Sequence, residues 1–104
     1  IRYYLTVQLF GLIDNLGKNT MLTTFDGNVW YMQLYDCDSC TGLDNSGAMK
    51  FDPDIEVEVG VFNTSNSRLW DKLRRNFPTQ ILAQWETLRL NEFTEENIMK
   101  YLVL

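Results

Sequence analysis

Asp26-Gly27 lies between two apolar runs, MLTTF and NVWYMQLY. The glycine accepts positive φ at no steric cost, so this pair between apolar runs signals a β-hairpin. Upstream, YYLTVQLFGLI over residues 3–13 alternates, with Leu5, Val7, Leu9 and Gly11 on one face and Tyr4, Thr6, Gln8 and Phe10 on the other. The alternation predicts a strand, and Gly11 within it predicts a bulge or bend that would let the strand curl around a small barrel. Residues 15–19 carry turn chemistry, and the polar stretch 36–53 reads as a long surface loop. IEVEVGVF over 55–62 alternates again: Ile55, Val57, Val59 and Val61 on one side, Glu56, Glu58 and Gly60 on the other. That is the pattern of a strand with one wet face.

Downstream the spacing becomes helical. Leu69, Trp70 and Leu73 form a stripe over 67–76, with Ser65 or Ser67 available as caps and Pro78 as the stop. ILAQWETLRL over 81–90 fits a fifth strand or a short helix, and its β-branched and aromatic members favour the strand. Thr94 opens a final helix, with Phe93 placed to staple onto Ile98.

A chain of 104 residues with 45% hydrophobic and 22% charged residues has the balance of one globular domain. Its start reads as a fragment of something longer, and no signal peptide or membrane-length apolar run is evident. The net charge of -5, from 9 basic and 14 acidic residues, excludes nucleic-acid binding by overall charge. Histidine is absent, which removes the commonest general base. Two cysteines are too few for a disulfide scaffold and suit a reducing compartment. The expectation is a mainly β fold: a five-stranded OB-fold barrel over residues 1–104 with an inserted helix and a C-terminal helix, a β-sandwich being the alternative.

Several segments carry a resemblance. LRLNEFTEENIMKYLVL, with Asn91, Glu92, Phe93 and Thr94 opening a helix, resembles the end of the OB domain in the middle subunit of replication protein A. LTVQLFGLIDNL with Gly11, the TFDGNV hairpin, and IEVEVGVF with Gly60 are similar to that family's first strand, Asp-Gly turn and fourth strand. The Stn-type subunit of the telomere-capping CST complex and the replication-protein-like subunits of telomerase share the architecture. The resemblance implies a nuclear, non-catalytic subunit that assembles with a smaller and a larger OB-fold partner and contributes to single-stranded DNA binding.

On that reading, Tyr31 and Tyr35 point outward for base stacking, while Trp30, Met32 and Leu34 face the core. The tyrosines could equally cover the barrel or face a partner. Arg68, Lys72, Arg74 and Arg75 cluster beside Trp70 and are the best phosphate contacts, or else an ordinary solvated helix face. Seven acids between Asp36 and Glu58 oppose a strong groove, so the isolated domain is expected to bind DNA weakly. Ile98, Tyr101 and Leu102 form the stripe that would bind a partner's helix or plug the chain's own barrel.

Other chemistry finds little support in the residues. Cys37 and Cys40 have no third cysteine or histidine to complete a zinc site, and the redox reading lacks a helix start. Asp36, Asp38, Cys40, Gly42 and Asp44 have calcium-loop spacing, but Gly47 stands at the closing position. No nucleophile with a base and no paired carboxylates in a cleft are apparent, so neither an enzyme nor a cofactor is expected. Asn63, Thr64 and Ser65 make a glycosylation sequon. The alternative function is a sandwich or barrel adaptor that binds a protein or peptide and no nucleic acid.

Overall fold

The structure, a computed structural model, describes residues 1–12, 14–43, 46–49 and 68–102. The expected strand over 55–62, its Glu56 and Glu58 face, the caps Ser65 and Ser67, and the sequon lie outside these residues. The described chain holds four helices and one two-stranded antiparallel sheet. In order they are α1 (Arg2–Phe10), β1 (Met21–Thr24), β2 (Trp30–Gln33), α2 (Arg68–Asn76), α3 (Pro78–Leu90) and α4 (Glu95–Leu102). No described helix is long and apolar enough to cross a membrane.

This architecture overturns the five-stranded barrel. The segment read as the first strand is α1, and Gly11, expected to bend a strand, closes that helix instead. It sits at φ 58, ψ 42, and its N–H donates to Gln8 O at 3.3 Å while Leu12 N donates to Val7 O at 3.0 Å. A left-handed glycine satisfying the last carbonyls is a helix C-cap. The supposed fifth strand is part of α3, which Pro78 opens: the residue that ends α2 supplies a preset φ and no surplus N–H at the start of the next helix. Ile81, Trp85 and Leu88 recur at helical spacing and turn toward the core.

The hairpin is present. Met21 pairs with Gln33, Leu22 with Met32, Thr23 with Tyr31 and Thr24 with Trp30. Asp26 holds the turn, its Oδ1 accepting from Val29 N at 2.9 Å and Asn28 N at 2.8 Å, with Gly27 at φ 75. With no barrel to enclose them, Trp30 and Leu34 are exposed, and only Met32 of the expected inward trio packs on the core.

That core is helical. Tyr4, Leu5 and Val7 from α1, Leu12 and Leu16 from the following loop, Trp70 from α2 and Leu88 from α3 are all buried. Each such side chain contributes roughly 1.5–3 kcal/mol of transfer free energy. α4 begins as the capping signature demands: Thr94 Oγ1 accepts from Asn97 N at 3.2 Å, and Thr94 O from Ile98 N at 3.0 Å. Phe93 sits edge-on to Phe10, ring centroids 6.2 Å apart, which ties the α3–α4 corner to α1. Arg2 and Glu92 reinforce the same contact at 2.6 Å.

Candidate functional site

Between α1 and the hairpin the chain folds into a tight turn that carries polar side chains over the core. Leu12 and Leu16 point inward and anchor it. Gly17 N and Asn19 N donate to the Asp14 carbonyl at 3.1 and 3.2 Å, so residues 14–19 close on themselves. Trp70 fixes the turn from below. Its Nε1 donates to Leu16 O at 2.6 Å, and its ring stacks on Tyr3 and Tyr4 with centroids 5.9 and 5.8 Å away.

The hairpin then returns the chain so that residues 35–41 run beside this turn. Two side chains, those of Asn15 and Asn19, join the two segments. Asn15 Nδ2 donates to Tyr35 O at 2.8 Å and lies 3.8 Å from Cys37 Sγ. Asn19 Nδ2 reaches the carbonyl of Asp36 at 3.3 Å and its Oδ2 at 3.4 Å. Lys18 Nζ pairs with Asp14 Oδ2 at 2.7 Å. The hydrogen bond to Asp14, then the charge of Asp14, raises the Lys18 pKa above its ordinary value, with Asp36 and Asp38 adding to the field. Four groups from two strings of sequence thus share one electrostatic environment: Asp14, Lys18, Asp36 and Asp38.

The backbone is special at the same place. Asp36 has φ 52 and Thr41 φ 51, left-handed values that non-glycine residues adopt at a cost. The Thr41 amide is spent on Phe10 O at 2.6 Å, docking the end of the segment onto the C-terminus of α1. Asp38 Oδ1 accepts from Ser39 N at 2.8 Å, which orients that carboxylate. Cys37 and Cys40 are free thiols, half-buried against the core. Burial pushes the Cys37 thiol above its usual range.

Sequence reasoning missed this cluster. Asn15, Gly17 and Asn19 were legible only as turn formers, and Asp36 and Asp38 as members of a solvated loop. The signal that could have found them is the spacing Asp14-x4-Asn19 followed across a hairpin by Asp36-x-Asp38. Among the described residues no three His, Cys, Asp or Glu side chains converge to hold a metal by themselves. Hard oxygen donors are present all the same: the Asp36 carboxylate, and the Asn19 Oδ1 once the carboxamide, whose Nδ2 now faces Asp36, turns over. Two such protein ligands, completed by water and phosphate oxygens, are what magnesium commonly takes in nucleotide sites. The residues fit that ion.

The residues expected to act lie elsewhere. Tyr31 and Tyr35 are about half exposed on the hairpin and its continuation, and the Tyr35 carbonyl is the one Asn15 holds. Arg68, Lys72, Arg74 and Arg75 are on α2, where Arg68, Lys72 and Arg75 border an open cleft of about 350 Å³ with Asp71 and Asn76. Asp71 pairs with Arg74 at 3.5 Å and with Arg75 at 3.2 Å, which takes up part of their charge. Trp70, expected beside phosphates, is 3% exposed and belongs to the core. On α4, Tyr101 and Leu102 are exposed and Ile98 is half-buried. The described chain has no barrel for that stripe to plug.

A family model described as CotH kinase protein matches residues 1–103, and the chain belongs to that family. No curated protein and no solved structure matches it. Membership overturns the replication-protein-A and Stn-type resemblance, and with it the small and large OB-fold partners, the single-stranded DNA and the telomere setting. The adaptor alternative has no support either. The nuclear location falls as well, since it rested on that resemblance alone.

Proposed function

We propose that the cluster of Asp14, Lys18, Asn19, Asp36 and Asp38 is part of a phosphoryl-transfer site that moves the terminal phosphoryl of a nucleoside triphosphate to a hydroxyl acceptor. The contact of the Asn19 amide with Asp36 carries the reading. Protein kinases place an Asp and an Asn five residues apart on one loop and a second Asp on a downstream segment. Asp14, Asn19 and Asp36 reproduce that spacing and that meeting, in a family whose name includes kinase. Two departures stand beside the match: Leu12-Ile13 replaces the usual His-Arg before the first Asp, and Cys37-Asp38 follows Asp36 where Phe-Gly is usual.

In this reading Asp14 accepts the proton of the attacking hydroxyl as its oxygen bonds to the γ-phosphorus. The bond to the bridging oxygen breaks, and the nucleoside diphosphate leaves with that electron pair. Asn19 and Asp36 would hold a magnesium ion, which supplies charge neutralisation at the phosphates. Lys18, released from Asp14 when substrate arrives, adds a cation beside the transferring group. Catalysis of this kind is mostly positioning and electrostatics, which suits a site built from a braced turn rather than from a reactive nucleophile.

This takes the opposite side from the expectation of a non-catalytic chain, and one experiment decides between them. The full-length protein is incubated with radiolabelled ATP and magnesium, with casein as a probe acceptor alongside autophosphorylation. Transfer is expected, reduced by about a hundredfold or more in Asp14→Asn and Asp36→Asn. Full transfer by both variants, or none by the unsubstituted protein, would sink the reading.

A further inference from the structure

We infer that Asn15 is a positioning residue that sets the distance between the Asp14 turn and the Asp36 segment. The inference rests on the phosphoryl-transfer reading for its consequence, though not for its geometry. Asn15 is 1% exposed, the most deeply buried polar residue described, although it sits in a turn beside the charged cluster. A buried carboxamide is costly unless its hydrogen-bonding groups are satisfied.

Its two ends are used on different parts of the fold. The backbone carbonyl accepts from Tyr3 Oη at 2.7 Å and Thr20 Oγ1 at 2.8 Å, which ties the turn to α1 and to the entry of the hairpin. The side-chain Nδ2 donates across to Tyr35 O at 2.8 Å and lies 3.8 Å from Cys37 Sγ, so it grips the residues on either side of Asp36. The neighbour of the proposed proton acceptor therefore holds the neighbours of the proposed metal ligand. Asn19 touches Asp36 itself, but its carboxamide is the group a magnesium ion would recruit. Asn15 is not needed for that and remains free to keep the two segments in register.

Because only the side chain spans the gap, Asn15→Asp removes the donor while leaving the shape and the backbone bonds to Tyr3 and Thr20. The test has two readouts on the full-length protein. In a Cys40→Ser background, iodoacetamide labelling of Cys37 is followed by peptide mass spectrometry, and phosphoryl transfer from ATP is measured in parallel. Leu88→Ala, a core truncation away from the turn, sets the level that general loosening produces.

Asn15→Asp is expected to speed Cys37 labelling by about tenfold, well beyond Leu88→Ala compared at matched distance below each protein's Tm. It is also expected to lower kcat by about ten- to a hundredfold with little change in KM for ATP, since a displacement of roughly 1 Å costs on that scale. Labelling no faster than in Leu88→Ala overturns the inference, whatever the turnover. Faster labelling with unchanged kcat overturns the positioning role. Faster labelling in a protein that transfers no phosphoryl group before substitution overturns the proposed function and leaves the clip standing. If Asn15→Asp does not fold, Asn15→Ser, too short to span the gap, is judged by the same outcomes.

Discussion

The Asn19 side-chain amide donates to Asp36 twice over, to the carbonyl at 3.3 Å and to the carboxylate at 3.4 Å. These residues are 17 apart in sequence, and the hairpin between them exists at the right length to bring them together. Asn19 is buried, so truncating it removes both hydrogen bonds to Asp36 together with the packing of the carboxamide. Asn19→Ala should therefore cost about 1–2 kcal/mol of unfolding free energy, independent of any ligand. Urea denaturation monitored by tryptophan fluorescence measures this, and an unchanged midpoint would show that the contact carries no stability.

Trp70 makes a separable contribution. Trp70→Phe keeps an aromatic ring between Tyr3 and Tyr4 but orphans Leu16 O, a loss of about 1–2 kcal/mol. Trp70→Ala removes the stacking and the buried volume as well, for about 3–5 kcal/mol. A ranking in which Phe and Ala cost the same would mean that the indole N–H, not the packing, holds the turn. Thermal unfolding of both variants beside the unsubstituted protein distinguishes the two.

Gly11 shows why part of the fold was legible and part was not. Residues 3–13 are so apolar that Leu5, Val7 and Leu9 fit a strand face, while the buried set Tyr4, Leu5 and Val7, with Tyr3 and Phe10 packed beside it, belongs to a helix. Periodicity cannot separate the two when most positions are apolar, and a glycine read as a bulge is equally a C-cap. The same ambiguity hid α3. The hairpin, α2 and the Thr94-capped α4 were legible because each has a local chemical cause: an Asx-stabilised turn, a charged face opposite Trp70 and Leu73, and a capping hydroxyl. The candidate site was not, since its residues are ordinary turn formers until the hairpin brings Asp36 to Asn19. At φ 58 a Cβ at Gly11 meets Gly42 N and Thr41 N at 4.0 Å, an ordinary contact, so the cost of Gly11→Ala is conformational. About 1–2 kcal/mol is expected from the left-handed backbone alone, read as a lowered Tm. A raised Tm would place the helix end elsewhere.

Asp26 offers a test of the hairpin by pH. Backbone hydrogen bonds from Val29 and then Asn28 hold its carboxyl below the ordinary value of 3.8. A depressed folded-state pKa contributes stability that is present above the unfolded value and lost as pH falls through the lower folded one. The turn should thus be fully formed at pH 5 and loosen only below about 3.8. Because Asp26 is exposed, the effect is local rather than global. Amide exchange of Val29 and Asn28, followed by NMR from pH 5 to pH 2 and corrected for intrinsic rates, should lose protection in that window. Asp26→Asn keeps an oxygen acceptor but removes the charge, so its Val29 protection should be weaker at pH 5 and flat with pH. Equal protection in both proteins across the whole range would show that the charged acceptor does not hold the turn.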